Sequence, residues 1–175
     1  MEIEYNFCPT CAGALEMRLL KQGEPLRPVC TRCGQIVYLD PKVAVGTIVR
    51  TDDRKLVLVR RAIEPGYGRW VFPGGYVDRG EEVTAAALRE AREEAGLDIE
   101  IERLVNIYSY AQRSLIVIVY AARIVGGALC TDEECLEARL FMPDEIPWDE
   151  LAFHSTSQAL REYLSSTAND PPLRF

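Results

Sequence analysis

Two groups of residues in this chain have the types and spacing to do chemistry. The first is acidic. In "REAREEAGL" (89–97), Glu90, Glu93 and Glu94 fall within five residues, and at 3.6 residues per turn they project into one sector of roughly 100°. Like charges four apart, such as Glu90 and Glu94, cost an exposed helix about 0.2–0.5 kcal/mol, and a helix built only for stability would carry Lys at one of them. The stretch alone supports two readings: a solvated face with Arg89 and Glu93 as a surface pair, or carboxylates kept for chemistry. The second group is four cysteines in two pairs, "CPTC" (Cys8, Cys11) and "CTRC" (Cys30, Cys33), with 18 residues between the pairs. Two such knuckles at that separation fit a tetrahedral four-thiolate zinc site. Gly34, directly after the second knuckle, suits the tight turn that brings backbone N–H groups to the sulfurs. Disulfides compete with this reading, but nothing in the sequence points to secretion, and a reducing cytosol keeps thiols free.

Composition bounds the rest. The chain has 175 residues, 48% hydrophobic and 27% charged, which suits one main core with a small appended module. The longest apolar run, "SLIVIVYAA" (114–122), has strand length and cannot span a bilayer. "MEIEYNF" at the start lacks the basic and apolar regions of a signal peptide, so a cytoplasmic protein is expected. A net charge of −7 opposes non-specific nucleic-acid binding. It leaves phosphorylated small molecules open, because a bound divalent cation reverses the sign locally. The single histidine, His154, excludes HExxH and His-rich metal sites. A Ser–His couple through it stays open, but near a helix start it is expected to be structural.

The elements that must position these groups follow from patterning. Residues 1–40 read as a zinc ribbon, too small to fold on its own core and dependent on the metal. Cys130 and Cys135 have no ligand spacing and read as ordinary thiols. "YLDPK" (38–42) is the expected hinge. "VAVGTIVR" (43–50) and "KLVLVRR" (55–61) read as a hairpin closed by "TDD". Gly- and Pro-rich 64–82 reads as loop with a short strand near Trp70–Phe72. A helix is predicted from Glu82 to Ala95, with acidic residues in its first turn and Gly96 as its stop. Strands follow at 99–110, 114–125 and 136–141, with Gly126–Gly127 turning the chain. Ser155 and Gln158 form a capping-box pattern opening a last helix to about Leu164, and 169–175 is a tail. This β-β-loop-α-β-β-α order predicts an α+β domain over 41–168, a mixed sheet sandwiched by helices rather than a doubly wound fold.

The loop ahead of the acidic helix decides between its two readings. Gly75 is followed by five residues, Glu81, seven residues, and then Arg89-Glu90-Ala91-Arg92-Glu93-Glu94-Ala95-Gly96-Leu97. This resembles the Nudix signature, G-x5-E-x7-R-E-U-x-E-E-x-G-U with U apolar, at every charged and glycine position. Ala91 is smaller than the usual aliphatic residue at its place. The resemblance implies an α/β/α sandwich and a hydrolase that uses Mg²⁺ or Mn²⁺, hard cations that take oxygen ligands and share them with phosphate. It implies Glu90, Glu93 and Glu94 as metal ligands, helped by Glu81 and by a carbonyl at Gly74–Gly75. It also implies Glu90 as a candidate base held by Arg89. A further glutamate beyond the box shares such a role in several relatives; Glu137 is the first candidate and Glu134 the second.

The four-cysteine ribbon followed by "DPKVAVGTIV" is similar to the NADH pyrophosphatase branch. The SQPWPFP stretch of that branch is absent from 98–116, which argues against NADH specificity. "ECLEARLFMPDEIPWDELAF" (134–153) resembles the plant chloroplast FAD pyrophosphatase. The expected substrate is therefore FAD, ADP-ribose or a related nucleoside diphosphate, giving AMP plus FMN or ribose 5-phosphate. Tyr67, Trp70, Tyr108 and Tyr110 are candidate stacking platforms; Arg60, Arg61 and Arg113 are candidate phosphate or ribose contacts. Relatives are commonly homodimers, so a homodimer is expected. An RNA-cap hydrolase and a non-catalytic nucleotide sensor are the alternatives.

Overall fold

A computed structural model describes residues 5–167. The chain divides into two compact units at Pro41/Lys42. In the first, β1 (Leu15–Arg18) and β2 (Arg27–Cys30) pair antiparallel, Leu15 opposite Cys30. The knuckles are tight turns: Ala12 N–H donates to the Cys8 carbonyl at 2.9 Å and Gly34 N–H to that of Cys30 at 3.1 Å. Gly34 sits at φ 75°, a conformation glycine adopts without steric cost.

The second unit contains β3 (Lys42–Arg50), β4 (Leu56–Arg61), β5 (Trp70–Val71), α1 (Val83–Ala95), β6 (Leu97–Ser109), β7 (Leu115–Gly127), β8 (Cys135–Phe141) and α2 (His154–Thr167). Its sheet runs β5-β4-β3-β7-β6, with β8 on β4. β3 lies parallel to β7 over its whole length, Lys42 opposite Leu115 through Arg50 opposite Arg123, while β6 and β7 form an antiparallel hairpin. The mixed sheet and two helices are the predicted sandwich. Among the described residues no helix is long and apolar enough to cross a membrane.

The expected β3–β4 hairpin holds only at its closed end, where Arg50 faces Leu56. Beyond that pair the strands part. The 73–77 segment takes up the bonding groups of β3: Thr47 N–H donates to the Pro73 carbonyl, Val45 N–H to that of Gly75, and Val77 N–H to that of Val43, each at 2.9 Å. Buried backbone groups must find partners, so this opening of the sheet fixes the glycine loop in place. β4 turns its other edge to β8, Leu56 opposite Phe141.

α1 approaches the sheet closely because its inner face is small; Ala86, Ala87, Ala91 and Ala95 are fully buried. Ala91, undersized for the motif, is one of them. Gly96 ends the helix at φ 69°. Its first turn holds no acidic residue: Glu82 is the cap and Glu81 lies in the loop. α2 starts at His154, so Ser155 lies inside the helix rather than capping it, and the helix runs to Thr167, beyond Leu164. Gly126 and Gly127 continue β7 opposite Asp98 and Leu97 instead of ending it. The tail at 169–175 falls outside the described residues.

Candidate active site

The α1 carboxylates are sorted by their partners. Glu94 is 4% exposed, and its Oε2 accepts from Gly74 N–H at 2.8 Å. Burial pushes its carboxyl up to about 8, against the pull of that N–H. Glu90 is raised as well, first by burial and then by the charges of Glu93 and Glu134, against the pull of Arg89. A Cβ at Gly75 would lie 2.6 Å from both Glu90 oxygens, so this loop position must be glycine for the carboxylate to reach the bend. Glu93 is 52% exposed and turned toward Arg89.

Arg89 organises the cluster. Its Nε and Nη2 hold Glu81 at 2.8 and 2.9 Å. Nη1 serves Glu90 at 2.7 Å and Glu93 at 2.9 Å, and Nη2 also reaches the Tyr76 carbonyl at 3.1 Å. All five guanidinium N–H groups are thereby used. The same fork holds the Glu81 carboxyl down at about 2. Glu81 also accepts from Asp78 N–H at 3.0 Å, tying the loop to the helix start.

Arg89, Glu90, Glu94 and the Gly74–Gly75 bend border a cavity of about 960 Å³, within the range of small-molecule sites, while Glu81 and Glu93 stand off its lining. Of the predicted site residues, Gly75, Arg89, Glu90, Glu94, Tyr110 and Arg113 line it. Arg61 lines it too, with its guanidinium 5.2 Å from the Phe153 ring centre. Trp70 does not; it is 5% exposed and packs edge-on against Phe141, so it is core and no platform. Tyr108 is core as well, donating to Glu162. Tyr67 and Arg60 stand off the cavity; Arg60 donates to the Gly68 carbonyl at 2.8 Å. Glu137 is exposed, opposite Arg60 across β4–β8, and away from the lining. Glu134 is in it.

The loop carrying Glu134 is pinned to the end of α1, where Cys130 N–H donates to the Ala95 carbonyl at 3.1 Å. Two further lining residues, Tyr76 and His154, were not among the predicted site residues. The only signal for His154 was its being the sole histidine.

Among the described residues, one group of three or more potential ligands converges to within 4.8 Å: Cys8, Cys11, Cys30 and Cys33. The sulfurs of Cys8 and Cys33 are 3.7 Å apart and those of Cys11 and Cys30 3.5 Å. A Zn–S bond of about 2.3 Å in a tetrahedron requires about 3.8 Å. The N–H groups of Arg32 and Cys33 both donate to the Cys30 sulfur at 3.4 Å, contacts that favour a thiolate ligand. The four thiols therefore fit zinc. The carboxylates of Glu90, Glu93 and Glu94 are not drawn together to that degree. As an all-oxygen set with two members made costly to ionise by burial, they fit a hard divalent cation.

The NUDIX domain family matches residues 40–163. This chain belongs to the Nudix hydrolases. The Nudix N-terminal family, a zinc ribbon, matches residues 6–39. An ADP-ribose pyrophosphatase of Methanocaldococcus jannaschii is 34% identical over 73% of the chain and 76% of its own length. The NAD-capped RNA hydrolase NudC of Stutzerimonas stutzeri is 28% identical over 82% of the chain, which spans half of that protein. A NUDIX hydrolase crystal structure from Nitrosomonas europaea superposes with a TM-score of 0.90 at 32% identity, covering 98% of this Nudix chain and 97% of that one.

Proposed function

We propose that this Nudix hydrolase cleaves the diphosphate of a nucleoside diphosphate joined to another moiety, with ADP-ribose and FAD as the favoured substrates. The observation that carries the reading is the seating of Glu90 and Glu94 against Gly74–Gly75 inside a cavity of about 960 Å³. The similarity to an ADP-ribose pyrophosphatase supports the first substrate. The resemblance of 134–153 to a plant FAD pyrophosphatase supports the second. Glu90, Glu93 and Glu94, with Glu81 behind them and a Gly75 carbonyl, would hold Mg²⁺ or Mn²⁺. When bound, such an ion neutralises diphosphate and lowers the pKa of water.

The chain's own residues do the rest. Arg89 fixes Glu90 and Glu81, so the carboxylates meet the diphosphate without reorganising. Water oxygen bonds to one phosphorus, the bridging oxygen leaves with the other phosphate, and the proton passes to a carboxylate. Glu134 takes that proton in our reading, since it faces the cavity and Glu137 does not. Arg61 and Arg113 offer charge to phosphate or ribose, and Tyr110 an aromatic face. A cytoplasmic homodimer completes the proposal.

A panel of ADP-ribose, FAD, NADH and capped RNA, assayed with Mg²⁺, Mn²⁺ or chelator, tests it. AMP with ribose 5-phosphate or FMN is the expected product pair, lost on chelation. Binding without turnover would favour a sensor. Turnover confined to RNA, falling steeply with salt, would favour the cap hydrolase, which the net charge of −7 opposes.

A further inference from the structure

Beside the cavity, a chain of hydrogen bonds sets the tautomer of the only histidine. Glu162 on α2 accepts from Asn106 Nδ2 and Tyr108 Oη, both at 2.8 Å, and from Gln158 Nε2 at 3.0 Å. These donors, Asn106 foremost, hold its carboxyl below the usual range, so Glu162 is ionised and only accepts. The Gln158 amide is oriented in consequence: its NH₂ faces Glu162 and its Oε1 faces Tyr110. Tyr110 Oη stands 3.2 Å from that Oε1 and must spend its one proton there, because two oxygens without a proton between them repel. The same Oη lies 3.2 Å from His154 Nδ1. Having given its proton away, it can only accept from Nδ1–H. Neutral His154 is therefore the Nδ1–H tautomer, and Nε2 carries the lone pair. Tyr110 and His154 both line the cavity, their rings edge-to-face at 5.4 Å. Nε2 has no protein partner among the described residues.

We propose that His154 is a specificity residue whose Nε2 accepts a hydrogen bond from the 6-amino group of the substrate's adenine, with Tyr110 and Gln158 as positioning residues. This rests on the reading of the cavity as the site of a nucleoside diphosphate-linked substrate. A fixed acceptor favours a base that donates at this edge. It opposes one that presents a carbonyl, which would bring two lone pairs together.

The test compares ADP-ribose with inosine diphosphate ribose, whose 6-position is a carbonyl, using the full untagged chain with Mg²⁺. Wild type should prefer the adenine compound by about tenfold in kcat/KM, the scale of one hydrogen bond, mostly through KM. His154→Ala should erase the preference. Gln158→Leu should invert it: Tyr110, deprived of Oε1, donates to Nδ1 instead and moves the histidine proton to Nε2. Tyr110→Phe, which leaves Nδ1 without its partner, should weaken the preference and serves if Gln158→Leu fails to fold. Because the chain has one histidine, a ¹⁵N spectrum reads the tautomer directly: Nδ1–H in wild type, Nε2–H in Gln158→Leu. Equal rates on both compounds, a preference that survives His154→Ala, or an Nε2–H wild type would each overturn the assignment. Turnover without discrimination removes this inference alone, whereas no turnover of either compound, with FAD also left uncut, removes the functional reading with it.

Discussion

Replacing Glu94 by Gln in the metal-free protein should change how stability depends on pH, and the size of the effect follows from burial. The folded carboxyl titrates at about 8, against 4.5 for the free side chain. A folded pKa raised above the unfolded one means that the native state holds a proton the unfolded chain releases. Below pH 4.5 Glu94 is neutral in both states and costs nothing. Between pH 4.5 and 8 wild type loses about 1.4 kcal/mol per pH unit, reaching about 5 kcal/mol once Glu94 ionises in place. Gln has no such term and can keep the Gly74 N–H bond through its own oxygen. Relative to wild type, the variant should therefore gain about 5 kcal/mol between pH 4.5 and 9 with chelator present. Guanidinium unfolding followed by tryptophan fluorescence measures this in the right unit, since Trp70 and Trp148 both lie after Lys42. Adding Mg²⁺ at a hundred times its Kd should return about 2.7 kcal/mol to wild type and less to the variant. A wild type–variant difference that stays flat with pH would refute the argument that Glu94 is held neutral by burial.

Gly75→Ala places a Cβ 2.6 Å from the Glu90 oxygens and should lower kcat at least about a hundredfold, with tryptophan fluorescence unchanged. Arg89→Lys replaces a five-donor fork serving Glu81, Glu90 and Glu93 by a point charge and should lose about two orders of magnitude in kcat/KM. Glu134→Gln should cost about 10²–10⁴ in kcat as loss of a general base. Glu137→Gln, exposed and off the cavity, should stay within a factor of two to three, and the reverse ranking in steady-state rates would restore Glu137. Cys30→Ser should release zinc, detected by a colorimetric chelator, and unfold the first unit while the core around Trp70 keeps its fluorescence.

The sequence by itself determined the parts whose geometry is local. A C-x-x-C turn places two sulfurs by its own backbone, so the zinc knuckles could be read directly. A helix fixes side-chain directions by its 3.6-residue period, so spacing alone was enough to place Glu90, Glu93, Glu94 and Gly96. What only the tertiary structure decided depends on contacts between distant segments. The parting of β3 from β4 depends on 73–77 filling the gap. The burial of Trp70 depends on Phe141, and the presence of Glu134, rather than Glu137, in the cavity lining depends on a loop pinned to Ala95. The proton position on His154 is the furthest from local reading: it is set by Tyr110, Gln158 and, at one end, an ionised Glu162 held by Asn106 and Tyr108. Spacing along a chain encodes direction within one element. Burial and hydrogen-bond partnership depend on which elements meet, and no local pattern carries that.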